Sequence, residues 1–239
     1  QKFSKQIILK KFGISGQKKI SNSKVLVIGV GGLGSPLAIY LARLGVGTIG
    51  IVDNDKIELS NLNRQIIYDT SEIGKYKIDI AKKKIKIINK KTKIKAFKLR
   101  IKKNNINEII KNFDFICDGT DNFESRLLIN DCCLKNKKVL ISAAVSGFIG
   151  QLFKFDFRKK SPCYRCFMPE IPELSNNCET DGVTPTITGV LGTLQATEVL
   201  NSILSFKSNM NKKMLIFDAI KMSFKKVELS KNKECKNKC

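Results

Sequence analysis

The stretch KVLVIGVGGLGSPLAIYLARLG, residues 24–45, decides the fold. Its apolar start predicts a buried strand, and SPLAIYLARLG predicts a helix with Pro36 near its first turn. Between the two, Gly29, Gly31 and Gly34 fit the pattern G-x-G-x-x-G. Glycines in that context permit a tight turn and let backbone N–H groups approach a phosphate at a helix N-terminus. The stretch therefore predicts a nucleotide site, with strand–helix packing as the alternative role of the glycines.

Strands and helices continue to alternate up to about residue 143. GTIGIVD (47–53) and IKAFKLR (94–100) predict strands, and residues 71–90 place apolar side chains at helical spacing. This order predicts an α/β fold with a doubly wound, mostly parallel, Rossmann-like sheet. Residues 5–20 predict a helical arm ahead of it.

The pattern changes after about residue 144. KKMLIFDAI and SFKKVELS predict two C-terminal antiparallel strands, reached through a long Cys- and Pro-rich segment that suggests a functional crossover loop. We therefore expect a single domain over residues 1–239. It comprises an N-terminal arm (1–22), a nucleotide-binding half (23–143) and a second half (144–239).

The chain of 239 residues carries a net charge of +23. Such a charge usually suggests nucleic acid, but the cations are nearly all Lys and are spread along the chain beside abundant Ile and Asn. This favours compositional drift in an AT-rich genome over nucleic-acid binding. No apolar run approaches the ~20 residues that span a bilayer, and the first residues do not resemble a secretory signal. We therefore expect a cytoplasmic protein with no membrane or nucleic-acid partner, whose eight cysteines serve metal or thiol chemistry rather than disulfides.

Charged residues follow the second predicted strand. Asp53 ends that strand roughly 20 residues beyond the glycine loop, where an acidic residue bonds a ribose hydroxyl. Beyond it, Arg64 and Lys77 offer two cations that suit a triphosphate and its pyrophosphate leaving group. An NAD-dependent dehydrogenase also uses such a loop, but the chain shows no catalytic constellation of that type and contains no His. For both cations, ordinary solvated charge is the alternative.

A second set of candidate ligands lies in CDGTDNFESR, residues 117–126. Asp118 and Asp121 stand at the end of a predicted strand, at the sheet edge where α/β proteins bind ligands. A carboxylate there can hold Mg²⁺ against phosphates. The alternative for Asp121 is an N-cap of the next helix.

Several motifs, in this order, resemble the ThiF/MoeB family of bacterial adenylyltransferases, which are related to ubiquitin-activating enzymes. They are SKQIIL, GVGGLGSP, IVDNDKIELSNLNRQ, the G-x-x-K of Gly74 to Lys77, DGTDNFESR, PCYRC and GVLGTLQATEVL. SAAVSGFIGQL and NCETDGVTPTITGVLGTLQA look closer to the ThiF branch. The resemblance implies that Mg-ATP adenylylates the C-terminal Gly-Gly carboxylate of a ubiquitin-like sulfur carrier. It favours the carrier ThiS of thiamine thiazole synthesis, with a MoaD-type carrier for molybdopterin as the alternative. A nucleotide-binding oxidoreductase and a non-catalytic scaffold for a ubiquitin-like partner remain rival interpretations.

The resemblance also implies roles for individual residues. Arg64, Lys77, Asp121 and Cys178 are the expected catalytic residues, with Asp121 binding Mg²⁺. In a homodimer, Lys5 of the N-terminal arm reaches the neighbouring subunit's ATP, at a position where the family usually has Arg. The remaining residues expected to bind the nucleotide are Gly29, Gly31, Gly32, Gly34, Asp53, Asn61 and Gln65.

The cysteines late in the chain have two implied roles. By resemblance, Cys163 and Cys166 in C-x-x-C join Cys235 and Cys239 in C-x-x-x-C around a structural Zn²⁺, the alternative being a metal-free loop. Cys178 lies on the crossover loop, where relatives can form an acyl-disulfide with the carrier, the alternative being an inert thiol. Sulfur transfer also implies a sulfur donor such as a cysteine desulfurase or a rhodanese.

Overall fold

The computed structural model describes residues 2–170, 182–207, 210–237 and 239. Within them the strands form one eight-stranded sheet in the order β3-β2-β1-β4-β5-β6-β7-β8. The strand bounds are β1 Lys24–Ile28, β2 Thr48–Asp53, β3 Lys93–Lys98, β4 Phe115–Asp118, β5 Val139–Ser146, β6 Ile149–Asp156, β7 Lys213–Asp218 and β8 Ser223–Glu228.

Helices connect most of these strands. Their bounds are α1 Ser4–Ile7, α2 Gly13–Asn22, α3 Gly34–Leu44, α4 Lys77–Ile88, α5 Ile106–Ile110, α6 Phe123–Lys135, α7 Tyr164–Phe167 and α8 Pro185–Ile203, with 3-10 turns at Leu59–Asn61 and Thr70–Glu72. No helix among the described residues is long and apolar enough to cross a bilayer.

The sheet confirms the predicted fold class. β1 to β5 pair in parallel, whereas β5-β6, β6-β7 and β7-β8 pair antiparallel. The chain leaves β1 in one direction to build β2 and β3 and returns to build β4 on the other side of β1. That reversal opens a crevice at the carboxyl ends of β1 and β4, where doubly wound sheets bind ligands.

Alternation along β1 shows how the two faces of the sheet are buried. Val25 and Val27 belong to a core with α3, α4 and α8, whereas Leu26 and Ile28 belong to a core with α5 and α6. Successive strand side chains point to opposite faces, so a strand that is buried on both faces is apolar throughout. The continuous apolar run of this strand is explained by the helices on both sides.

Two predicted helices are shorter than the sequence indicated. The expected arm helix over 5–20 is divided into α1 and α2, and Gly13 at the start of α2 has a positive φ of 60°. The expected helix over 71–90 begins only at Lys77. Before it the chain forms the 3-10 turn Thr70–Glu72, Gly74 has a φ of 83° and Tyr76 forms an isolated β-bridge with Lys56, so residues 71–76 are not α-helical.

Candidate functional site

A cavity of about 890 Å³ lies in the crevice at the carboxyl ends of β1, β2 and β4. Its volume falls within the range of about 300–1,000 Å³ that is typical of small-molecule sites. Most of the nucleotide-binding residues expected from the sequence meet here. Those lining the cavity are Gly29, Gly31, Gly32, Asp53, Asn61, Arg64, Gln65, Lys77 and Asp121.

The glycine loop has two kinds of glycine. Gly29 adopts a φ of 85°, and Gly34 packs so closely that a Cβ there would lie 2.0 Å from the Gly29 carbonyl oxygen. Gly34 is absent from the cavity wall, so the packing role describes it better than the phosphate role. A Cβ on Gly31, by contrast, would meet only the Gln65 side chain, at 3.6 Å. The wall of the cavity at Gly31 is therefore open to a ligand.

Asp53 ties the end of β2 to the glycine loop. One carboxylate oxygen accepts the Val30 N–H at 2.8 Å, and the other accepts the Asp55 N–H at 2.9 Å. Burial raises the pKa of Asp53 above its ordinary value, although the Asp55 N–H and the Lys77 charge oppose the rise. Each carboxylate oxygen can accept a further hydrogen bond, so the same group remains able to receive a ribose hydroxyl.

Gln65 supplies an unsatisfied acceptor in the cavity wall. The residue is only 4 % exposed, and its Oε1 has no hydrogen-bond partner among the described residues. A buried polar atom without a partner costs free energy, which a donor on a ligand would recover. This orphaned oxygen, together with the open glycine loop, fits a bound nucleotide.

The two predicted cations differ in their surroundings. Arg64 is half-buried, and its guanidinium donates to the Ser60 carbonyl and to Asn63 Oδ1 at 2.9 and 3.1 Å. Lys77 is 6 % exposed at the first turn of α4, and its Nζ lies 3.0 Å from Asp55 Oδ2. Both side chains line the same cavity. Because Lys77 is buried there, the alternative of ordinary solvated charge does not describe it. Two cations and an open loop are a donor set suited to polyphosphate.

Tyr68 positions the buried cation, a role that sequence reasoning did not identify. Its hydroxyl donates to the Val30 carbonyl at 2.9 Å and lies 3.3 Å from the Lys77 carbonyl. Burial and the negative charge of Asp53 raise the pKa of Tyr68, so the phenol stays protonated and remains a donor. One side chain thereby joins the glycine loop to the first turn of α4.

The two aspartates of CDGTDNFESR have different environments. Asp118 is fully buried and accepts from the Thr120 N–H, the Thr120 hydroxyl and the Ser142 hydroxyl at 2.9, 2.6 and 2.6 Å, so it shapes the loop that follows β4. Asp121 is exposed at the cavity wall. The N-cap alternative for Asp121 is wrong, because Asn122 caps α6 by accepting the Ser125 N–H at 2.9 Å. Asp121 is therefore not engaged as a helix cap, and its predicted binding of Mg²⁺ stays a prediction.

Several lining residues were not identified from the sequence. Arg126, Leu99 and Ile101 line the cavity, as do Val183 and Thr188 at the start of α8. Arg126 lies in the same motif as Asp121, one helical turn beyond the N-cap, and this spacing was the available signal. The residues after β3 and at the start of α8 have no such signal, because they reach the cavity only through the sheet order.

The four late cysteines form a compact thiol cluster. The Sγ atoms of Cys163 and Cys235 are 3.6 Å apart, those of Cys166 and Cys239 are 3.2 Å apart, and all four lie within 4.8 Å of one another. A tetrahedral Zn²⁺ with Zn–S bonds of about 2.3 Å requires sulfurs about 3.8 Å apart. The cluster therefore fits a four-thiolate metal site, and the C-x-x-x-C spacing does not prevent it. All seven cysteines in the described ranges are free thiols.

Asp131 on α6 holds both halves of the thiol cluster. It pairs with Arg165, between Cys163 and Cys166, at 2.7 Å, and it accepts from Asn237 at 2.7 Å. Burial raises the pKa of Asp131, but the hydrogen bonds from Arg165 and Asn237 outweigh it, and the net pKa is lowered. The carboxylate is thus kept ionised between the two cysteine-bearing segments.

Two expected site residues do not reach this cavity. Lys5 lies exposed on α1 and is not part of the cavity wall. Its predicted role concerns a neighbouring subunit and stays a prediction. Cys178 lies outside the described residues, so its predicted role in sulfur transfer also stays a prediction.

Comparison with known proteins finds relatives that are named as adenylyltransferases. The "Probable molybdopterin-synthase adenylyltransferase" of Porphyra purpurea is 44 % identical over 232 residues, 95 % of this chain and 60 % of that protein. "Adenylyltransferase and sulfurtransferase MOCS3-2" of Zea mays is 40 % identical over 230 residues, 95 % of this chain and 48 % of that protein. The chain thus spans about half the length of the relatives it matches.

A solved structure and a family match agree with the architecture. E. coli MccB superposes with a TM-score of 0.84 over 100 % of this chain and 72 % of that one, at 21 % identity, which shows a shared fold. Residues 3–237 match the ThiF family. Because that match covers nearly the whole chain, the protein belongs to the ThiF family.

Proposed function

We propose that this protein is an ATP-dependent adenylyltransferase that activates the C-terminal carboxylate of a ubiquitin-like sulfur carrier. The observation that supports this most directly is the joint placement of Arg64 and Lys77 in one cavity with the glycine loop. Two cations beside an open phosphate loop suit a triphosphate substrate whose leaving group is pyrophosphate. The names of the relatives point to the same reaction class.

In the proposed reaction, a carboxylate oxygen of the carrier attacks the α-phosphorus of ATP. The bond between that phosphorus and the bridging oxygen to the β-phosphate breaks, which leaves an acyl-adenylate and pyrophosphate. A terminal carboxyl group has a pKa of about 3.5, so the nucleophile is already ionised at neutral pH. The chain therefore needs no general base, and positioning and charge stabilisation do the catalytic work.

The residues divide this work between them. Gly31 and Gly32 present the loop to the phosphates, Asp53 receives the ribose, and Asn61 and Gln65 hold the nucleotide beside them. Arg64 and Lys77 stabilise the charge that develops on the departing pyrophosphate. Mg²⁺, held by Asp121, would add charge neutralisation on the phosphates.

A MoaD-type carrier is the better candidate substrate. The resemblance of individual motifs favoured ThiS, but the Porphyra purpurea relative is named for molybdopterin synthase and the Zea mays relative is a MOCS3 protein. The carrier of molybdopterin synthesis therefore replaces ThiS as the first choice. The homodimer, with Lys5 acting across its interface, and transfer of sulfur through Cys178 from a separate donor belong to the same proposal.

ATP–pyrophosphate exchange with purified MoaD-type and ThiS carriers, offered separately, tests the proposal. We expect exchange that depends on the MoaD-type carrier and that disappears when the carrier lacks its Gly-Gly end. Exchange with ThiS alone would reverse the choice of carrier. No exchange with either carrier, together with binding of a nicotinamide dinucleotide, would instead favour the oxidoreductase interpretation.

A further inference from the structure

The thiol cluster and the nucleotide cavity lie at opposite ends of the same helix, α6. Asn122, Arg126 and Asn130 stand four residues apart, and this spacing places them on one side of the helix. Asn122 caps the helix beside Asp121, and Asn130 accepts the backbone N–H of Tyr164 at 2.8 Å. The side of α6 that begins at the cavity therefore continues to the segment that carries Cys163 and Cys166.

Arg126 is the middle of the three residues on this side of α6. It is 5 % exposed, lines the cavity, and donates from one terminal nitrogen to the Thr120 carbonyl at 2.8 Å. Its Nε lies 3.4 Å from Asp118, the carboxylate that also accepts the Thr120 N–H. The guanidinium thus contacts the Thr120 carbonyl within the loop 119–122 and the Asp118 carboxylate just before that loop. That loop carries Asp121, and Asn122 donates to the Asp121 carboxylate at 3.2 Å.

Tyr164 holds Arg126 from the other side. Its hydroxyl accepts from the second terminal nitrogen of Arg126 at 3.4 Å, and the guanidinium also lies 5.8 Å from the centre of its ring. Tyr164 is 1 % exposed and lies between Cys163 and Cys166 in the sequence. Its ring packs edge-on against Phe153, with 5.1 Å between the ring centres. The position of this tyrosine therefore follows from the fold of residues 163–166, the thiol segment.

We propose that Arg126 is a positioning residue for nucleotide binding, and that the thiol segment fixes Arg126 through Tyr164 so that the loop 119–122 keeps Asp121 at the cavity. The inference rests on the proposed function, because Asp121 matters only if Mg-ATP is the ligand. A buried arginine with several partners holds a loop well, because its planar fork makes hydrogen bonds in fixed directions. Neither Arg126 nor Tyr164 takes part in the chemical step.

The test measures Mg-ATP dissociation constants by calorimetry on the full chain as purified. Tyr164→Phe removes one hydroxyl and leaves the ring in its packing, so the variant is expected to fold. We expect its dissociation constant to rise roughly two- to tenfold, the usual worth of one buried hydrogen bond. Tyr40→Phe, which removes the hydroxyl of a partly exposed tyrosine on α3, is the matched control and should leave the constant unchanged.

A double-mutant cycle separates positioning from general destabilisation. If Tyr164 acts through the loop that carries Asp121, Tyr164→Phe should cause no further loss in an Asp121→Asn background. Amide hydrogen exchange across residues 119–122 should also be faster in Tyr164→Phe and should return towards wild type when Mg-ATP is added.

Two results overturn the inference. One is an additive loss in the double variant, and the other is unchanged affinity together with unchanged amide exchange in Tyr164→Phe. Failure of the proposed function itself gives a different result, since the wild-type chain would then bind no Mg-ATP. Arg126→Lys provides a second variant. It keeps the charge but cannot reach the Thr120 carbonyl, Asp118 and the Tyr164 hydroxyl at once, and we expect it to weaken Mg-ATP binding at least as much as Tyr164→Phe does.

Discussion

The Lys77 ammonium lies 3.0 Å from the Asp55 carboxylate, and the two side chains differ in exposure, at 7 % for the lysine and 58 % for the aspartate. A buried cation needs a partner, and here the partner is a mostly solvated carboxylate. A phosphate oxygen that enters the cavity can therefore compete for the ammonium, while Asp55 keeps its water. The arrangement holds Lys77 in place before the ligand arrives and leaves its charge available.

Lys77→Met tests this assignment. The substitution keeps the length of the side chain and removes a buried charge, so the melting temperature should stay the same or rise slightly. Loss of the charge that stabilises the leaving group should lower carrier-dependent ATP–pyrophosphate exchange about 100-fold or more. Lys75→Met is the matched control. Lys75 stands two residues earlier and is exposed, so this variant should keep the full rate. Full exchange in Lys77→Met would contradict the role of Lys77 in stabilising the charge on the phosphates.

Arg64→Ala tests the second cation. Arg64 is held by the Ser60 carbonyl and Asn63, and no ion pair to an acidic side chain is found for it within the described ranges. We expect exchange to fall by about 100-fold or more, with the fold retained, because the hydrogen bonds of Arg64 are confined to one short loop. Arg43→Ala, an exposed arginine on α3 outside the cavity, should leave the rate unchanged. Equal rates in the two variants would contradict the phosphate assignment.

The thiol cluster predicts metal binding with unequal ligands. We expect about one Zn²⁺ per chain by elemental analysis, and a lower melting temperature after the metal is removed, because a metal that binds only the folded state stabilises it. Cys163→Ser should reduce the metal content more than Cys239→Ser does, because Cys163 is fully buried and Cys239 is partly exposed.

Cys132→Ser is the control for that series. Cys132 lies on α6 outside the cluster, so the variant should keep its metal. Purified wild-type protein without metal, or equal metal content in Cys163→Ser and wild type, would leave the cluster as a set of ordinary thiols.

Asp69 predicts a change in stability at acid pH. Hydrogen bonds from Lys84 and Ser71 lower the pKa of Asp69 to about 2, and its side chain caps the turn Thr70–Glu72 ahead of α4. Because the pKa of Asp69 is lower in the folded state, its charge contributes to the free energy of unfolding at pH values above its ordinary pKa of about 3.9. That contribution disappears as the pH falls towards 2.

The melting temperature of Asp69→Asn measures this contribution. It should lie below that of wild type from pH 5 to 8, and the two should converge between about pH 4 and pH 2. A difference that stayed constant over the whole range would show that the charge of Asp69 does not contribute.

The glycine loop shows how much of the site could be predicted from the sequence. Its strand–loop–helix context identified the loop, and short motifs identified Asp53, Arg64 and Lys77 because those residues lie within one continuous run of the chain. The helix over 71–90 was predicted too long, since helical spacing among its lysines and isoleucines does not register the positive φ of Gly74. Local periodicity carries no information about such a turn.

The contacts made by Tyr68 and Tyr164 could not be predicted in the same way. Tyr68 is separated by 38 residues from Val30, whose carbonyl it contacts, and Tyr164 by 38 residues from Arg126. Such pairs can be predicted only when the sheet order is known, because the order decides which loops become neighbours. Branch-level resemblance favoured ThiS, whereas the names of the relatives favour a MoaD-type carrier; both branches share the motifs that are expected to bind ATP.

The most direct test of the central claim follows the label from ATP that is labelled at its α-phosphate. In a mixture of this protein, Mg²⁺ and a MoaD-type carrier, we predict that labelled AMP becomes attached to the carrier's C-terminus while pyrophosphate is released. The label should be absent when the carrier lacks its terminal Gly-Gly or when the protein carries Lys77→Met. Failure to find labelled AMP on any sulfur carrier, from a chain shown to bind Mg-ATP, would contradict the account.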